Sequence, residues 1–180
     1  MIEGKRVILR IFRESDLDEY FSLTSKIKER GDYYPTRILS EIEFRNKFRE
    51  TGWWESDLGR MLITDKKERL IGEISFFTFD KHIVGYEIGY QVFRNSDRGK
   101  GYMSEALLLF SSFIFDHKDT PRLRVMILKG NTASIKVAEK CGYIHDGTLR
   151  KACFNRGEYH DLELFSLLRE ECPKLKEVLR

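Results

Sequence analysis

Residues Gly101–His117 carry the strongest helical pattern in the chain. Met103, Ala106, Leu107, Phe110, Phe113 and Ile114 form one continuous apolar stripe. A stripe of that breadth must lie against another apolar surface, and a sheet face offers one. The segment just upstream reads as a strand: along Ile83–Phe93, the residues Val84, Tyr86, Ile88, Tyr90 and Val92 share one face. Between strand and helix stands Asn95-Ser96-Asp97-Arg98-Gly99-Lys100-Gly101-Tyr102-Met103-Ser104. A strand, a turn with two glycines and a strong helix, in that order, restrict the chain to folds in which a helix docks back over its sheet at this point.

The remaining segments supply that sheet and further helices. Arg6–Phe12 reads as a first strand. Ser15 and Asp18 have the spacing of a capping box, followed by Leu17, Tyr20, Phe21 and Leu23 in a first helix. Gly31, Tyr33, Tyr34 and Pro35 mark a loop, and Ser40 opens a second helix with Ile42, Phe44 and Phe48. Met61–Thr64 and Arg69–Phe79 read as strands joined by Asp65–Glu68, and Leu123–Leu128 as another. Asn131–Cys141 is a helix with Asn131 as cap and Gly142 as stop. Two last strands, about Gly147–Phe154 and Tyr159–Leu168, flank the turn Asn155-Arg156-Gly157-Glu158. The order predicts one mixed α/β sheet with helices on both faces, in a single domain over residues 1–180.

Composition removes several functions. The chain has 32 basic and 29 acidic residues, a net charge of +3, and these are interspersed. Nucleic acid and membrane are therefore not expected as partners. Cys141, Cys153 and Cys172 lack CxxC spacing, so neither a disulfide framework nor a metal site is expected. The opening residues Met1–Arg6 lack a signal-peptide core and the apolar runs are too short to span a bilayer, so a cytoplasmic location is expected.

The turn before the long helix has the properties of an anion site. Gly99 and Gly101 let a ligand come close to the main chain, free N–H groups and the helix dipole favour negative charge, and Arg98 and Lys100 add to it. A pyrophosphate fits that description, and so does a plain strand–helix turn that needs glycine. Two other phosphate loops fail on single residues: Ser104 replaces a glycine of GxGxxG, and Gly101 replaces the Ser or Thr after the lysine of a Walker loop.

Taken together these segments resemble the GNAT family of N-acetyltransferases. Ser96-Asp97-Arg98-Gly99-Lys100-Gly101 is similar to the family's Gln/Arg-x-x-Gly-x-Gly/Ala loop, with Ser96 departing at the first position. Glu87-Ile88-Gly89-Tyr90 precedes it; Asn131-Thr132-Ala133-Ser134 and Glu139-Lys140-Cys141-Gly142-Tyr143 follow it. The opening Lys5-Arg6-Val7-Ile8-Leu9-Arg10 and the ending from Gly147-Thr148-Leu149-Arg150 to Phe165-Ser166-Leu167-Leu168-Arg169-Glu170 resemble the branch containing ribosomal-protein N-terminal acetyltransferases. The resemblance implies a mostly antiparallel sheet of about seven strands, with acetyl-CoA as cosubstrate. It implies pyrophosphate contacts from Arg98, Gly99, Lys100, Gly101, Tyr102 and Met103. Pantetheine contacts would come from the backbone at Tyr90, Gln91 and Val92 and from Asn131 and Ser134.

Glu87 lies on the opposite strand face from Tyr86 and Ile88, with Gly85 and Gly89 on either side. Glycines there would clear room for an amine, which the carboxylate would deprotonate directly or through water; an acceptor-positioning carboxylate or a solvated one are the alternatives. The resemblance implies a base on this strand. Many family members place a tyrosine seven residues after the asparagine to protonate the leaving thiolate; this chain has Ala138. Ser134 would take that role, or the thiolate would leave unaided, which is the favoured expectation because a thiol ionises readily. Tyr33, Tyr34 and Trp53 would line an acceptor pocket or belong to the core. His160-Asp161 is a poor dyad because adjacent strand residues face apart. The expected activity is transfer of acetyl to a primary amine, with a protein N-terminal α-amine favoured. A small-molecule amine such as an antibiotic or polyamine, or a non-catalytic CoA-binding module, is the alternative. The chain would act as a monomer or homodimer.

Overall fold

The computed structural model describes residues 1–26, 31–35, 38, 40–78 and 83–179. Phe79, the expected end of one strand, lies outside them. Among the described residues the strands are β1 (Ile2–Glu3), β2 (Val7–Arg10), β3 (Leu58–Asp65), β4 (Leu70–Phe77), β5 (Tyr86–Val92), β6 (Arg122–Leu128), β7 (Ile144–Asn155) and β8 (Glu158–Leu168). They form one sheet in the order β1-β2-β3-β4-β5-β6-β8-β7. Every pairing is antiparallel except β5 with β6. The helices are α1 (Leu17–Ser25), α2 (Glu41–Thr51), α3 (Tyr102–His117), α4 (Thr132–Lys140) and a short α5 (Leu175–Val178). β1 and α5 were not foreseen; both are too short to give a periodic signal.

The α3 stripe is buried as expected. Ala106, Leu107, Phe110 and Ile114 pack against Ile74, Phe76, Ile88, Leu123 and Val125 of the sheet, and Ala138 of α4 joins the same core. On this face lie α3 and α4. The other face carries a second, aromatic core: Phe12, Leu17, Tyr20, Phe44 and Trp53 with Leu62, Leu70 and Phe93. It holds α1 and α2 to the sheet, so helices cover both sides.

Two local expectations need correction. Ser15 does not cap α1. Asp16 stands at the N-cap without a side-chain cap bond; its Oδ2 instead accepts from the Arg13 N–H at 2.7 Å, closing the 3-10 turn Glu14–Asp16, while Arg10 donates to both of its oxygens at 2.7 and 2.8 Å. Ser15 lies inside that turn, one residue before the N-cap, so its hydroxyl is not at the capping position. Trp53 is core, not pocket: it is 5% exposed, with the rings of Phe44 and Phe12 at 4.7 and 4.8 Å. Trp53→Ala is expected to cost about 3–5 kcal/mol of stability and to leave acceptor KM unchanged at temperatures where the variant is folded. Thermal melts and initial rates check this.

One topological feature positions the site. β5 and β6 pair only at Tyr86↔Leu123 and Glu87↔Arg124. From Ile88 onward the two strands diverge, while β5 keeps its register with β4 as far as Val92. The sheet therefore opens as a V whose apex is Glu87. The backbone groups of β5 that point toward β6 beyond that rung are available to a ligand.

Candidate active site

A cleft of about 570 Å³ occupies the V. Tyr90, Gln91 and Val92 of β5 form one wall, and Asn131, Ser134 and Val137 the other. Arg98, Gly99, Gly101, Tyr102 and Met103 close one end, and Tyr33 and Tyr34 lie along the mouth. The structure thus brings together most of the residues singled out in the sequence. Glu87, Lys100 and Trp53 are exceptions: none lines the cleft, and the Lys100 ammonium lies 3.9 Å from Asp97.

The closed end is built for an anion. Gly99 and Gly101 have φ of +73° and +81°, and a β-carbon on Gly99 would meet nothing within 4 Å. Gly101 is the N-cap of α3, whose first N–H groups are free to face a ligand. The turn is braced from below. Asp97 is 3% exposed and accepts from both Arg69 nitrogens at 2.8 and 2.9 Å, and this pairing holds its carboxyl below the usual range. Arg6 Nη1 donates to the Lys100 carbonyl at 2.9 Å. These features fit the pyrophosphate of a CoA. Asp97 was visible in the sequence only as part of a turn; its partner lies 28 residues away. Asp97→Ala should lower stability by roughly 1–3 kcal/mol and weaken CoA binding by loosening the turn. Melting and calorimetry on the same samples check both.

Glu87 does not line the cleft; it lies at the apex, 9% exposed, with Arg124 Nε 3.5 Å from its Oε2. Burial, opposed by Arg124, pushes its carboxyl up to about 7. The flanking glycines do not clear room for a ligand, contrary to the sequence reading. A β-carbon on Gly85 would lie 2.5 Å from the Arg122 carbonyl, and one on Gly89 would press on Ser75 and Phe77 at 3.2 and 3.3 Å. The space beside these glycines is taken by protein.

A second buried carboxylate was missed. Glu73 pairs across the sheet with Gln91, which donates to its Oε1 at 2.7 Å; Tyr20 donates to its Oε2 at 2.6 Å. Tyr34 at the mouth reaches the same group at 3.5 Å. The available signal was one charge inside the apolar run Leu70–Phe77. Tyr33 Oη donates to the Gly130 carbonyl at 2.9 Å, and Gly31 packs on the Arg98 guanidinium. Asn131 Oδ1 accepts from the Ser134 N–H at 3.2 Å, so its side chain caps α4 as well as facing the cleft. His160 and Asp161 do not meet: one bonds the Asn155 carbonyl and the other the Lys151 N–H.

A helix-capping glycine turn feeding a V between two parallel strands fits an α/β protein that holds an acyl-CoA. A family model described as an acetyltransferase (GNAT) domain matches residues 6–144, and the chain belongs to that family. That family uses acetyl-CoA. Among its relatives is the SPbeta prophage-derived uncharacterized N-acetyltransferase YokL of Bacillus subtilis, 28% identical over 93% of each chain. The ribosomal-protein-serine acetyltransferase of Escherichia coli is 32% identical over 59% of each. A spermidine N-acetyltransferase from Vibrio cholerae, solved with CoA and spermine, superposes with a TM-score of 0.78 at 18% identity, covering 92% of this chain and 96% of that one.

Proposed function

We propose that this chain transfers acetyl from acetyl-CoA to a primary amine, with a protein N-terminal α-amine as the preferred acceptor. The observation that carries the reading is the V between β5 and β6: its cleft is closed at one end by the turn before α3, and a buried glutamate lies at the apex where the two strands last pair. Acetyl-CoA supplies the activated acyl group. The amides of Arg98–Met103 hold the pyrophosphate, and the freed β5 backbone at Tyr90–Val92 orients the arm. An outward β5 amide donates to the thioester carbonyl as negative charge builds on it.

Glu87 accepts the amine proton through water. The new carbon–nitrogen bond forms, the carbon–sulfur bond breaks with its electron pair on sulfur, and the proton passes from Glu87 to solvent. A carboxylate held near 7 is well matched to this work at neutral pH. The E. coli relative's name supports a ribosomal-protein acceptor, and the branch resemblance supports its α-amine.

A small alkyl amine is the second reading. Glu73 and Glu87 lie on one face of the sheet but each already faces an arginine, Arg60 at 3.8 Å and Arg124 at 3.5 Å, so the support for this reading is the spermidine N-acetyltransferase that shares the fold. A panel of short peptides and alkyl amines with acetyl-CoA, read by thiol release, separates the two. Release with peptides alone supports the α-amine. Release with polyamines alone replaces it, and CoA binding without release from any amine would leave a binding module.

A further inference from the structure

The side chain of Tyr90 has no part in the account above, in which only its backbone serves the cleft. From β5 it reaches the first turn of α4. Its hydroxyl lies 2.8 Å from Ser134 Oγ, a contact in which either oxygen can donate, and 3.3 Å from the Ser134 carbonyl oxygen, a longer acceptor for the same proton. Both residues line the cleft. Ser134 is fixed from its other side as well, because its N–H donates to Asn131 Oδ1 at 3.2 Å. One turn further along the helix stands Ala138, fully buried and without a hydroxyl. The Tyr90–Ser134 pair is therefore a hydroxyl pair set into the wall where α4 offers no tyrosine.

We infer that Tyr90 is a positioning residue for the departing sulfur: it donates to Ser134 Oγ and so leaves the Ser134 O–H aimed into the cleft. This rests on the CoA reading of that cleft. A serine hydroxyl has one proton and two lone pairs. When a neighbour fills a lone pair, the proton is turned toward the remaining acceptor, and cooperative polarisation makes it a better donor. The Ser134 hydroxyl then hydrogen-bonds the sulfur as the carbon–sulfur bond breaks and the electron pair moves onto it. No proton leaves the protein. The thiolate departs as an anion and takes its proton from solvent. Burial pushes the Tyr90 phenol up to about 12, so it remains a donor throughout the working pH range. The pairing shifts the balance from unaided departure toward departure assisted by a hydrogen bond.

Tyr90→Phe removes the hydroxyl and keeps the ring. With the full chain, CoA affinity by calorimetry is expected to stay within about twofold, while kcat falls about tenfold with KM for the acceptor unchanged. The thiol pKa of bound CoA, titrated by thiolate absorbance against desulfo-CoA, should rise by about one unit, the same tenfold factor. Ser134→Ala should reproduce both effects, and adding Tyr90→Phe to it should change little more. A purely structural tyrosine would not move the thiol pKa. Parent-like kcat and thiol pKa in Tyr90→Phe, or losses that add fully to those of Ser134→Ala, would overturn the inference while leaving the CoA reading intact. Failure of the parent chain to bind CoA would overturn both.

Discussion

Replacing Gly101 by glutamate is expected to reduce CoA affinity at least about 100-fold, the largest effect of any single change in the cleft. Two causes combine. Gly101 sits at φ +81°, a conformation that costs an L-residue about 1–2 kcal/mol. The new carboxylate also stands at the α3 N-terminus, where the pyrophosphate charge belongs. Like charges about 4 Å apart near a protein surface repel by about 4 kcal/mol. Gly101→Ala separates the causes: it carries the backbone strain without the charge and should lose stability while keeping most of its affinity. Its β-carbon would meet only Arg6 Nη1, at 3.1 Å, the end of a flexible side chain. Calorimetry with CoA, beside a melting curve proving that the variant folds, reads the result. Parent-like affinity in folded Gly101→Glu would remove the pyrophosphate site from this turn.

Glu87→Gln should produce the second large effect, and its size reports the acceptor. The carboxylate must be ionised to act, so the parent's rate should climb as pH rises through about 7. An α-amine has a pKa of about 7.7–8.0 and is partly deprotonated at neutrality, against about 10.4 for a lysine-type amine. With an α-amine acceptor the variant should lose modest activity near neutrality and regain most of it at about pH 9. With an alkyl amine the loss should reach about 10²–10⁴-fold. Identical pH–rate profiles for parent and variant would show that Glu87 is not the base.

The same substitution has a stability signature. The folded-state pKa of Glu87 is raised, from 4.5 to about 7. Its contribution to stability is therefore fully present below pH 4.5 and is lost as pH rises through about 7. Relative to Glu87→Gln, the parent should lose roughly 3 kcal/mol across that window. Denaturant midpoints on either side of it measure the change.

What could be read from the sequence was what is local along the chain. The α3 stripe, the glycine turn, the Asn131 cap and the alternation that puts Glu87 opposite Ile88 are all set within a few residues, and each stands in the structure. The groups that tune the site are set by strand order. Arg124 reaches Glu87 only because β6 returns parallel to β5, and Arg69 reaches Asp97 across 28 residues. Neither pairing leaves a periodic trace. The Gly85 and Gly89 reading failed for the same reason. A glycine beside a carboxylate reads equally as room for a ligand or room for protein, and only the position of Arg122, Ser75 and Phe77 decides. Trp53 shows the limit for aromatic residues, since the packing of Phe12 and Phe44 around it is a tertiary fact.

Whether this cleft delivers acetyl from CoA to an α-amine is tested by mass spectrometry of acceptors after incubation of the chain with acetyl-CoA. The mixture holds a free N-terminal peptide, an N-blocked peptide with an internal lysine, and a polyamine. One acetyl group is expected on the free peptide, localised by fragmentation to its α-nitrogen, with matching release of CoA and no product from Gly101→Glu. Acetylation confined to the lysine or the polyamine, or no acceptor modified by a chain that binds CoA, would contradict delivery to an α-amine.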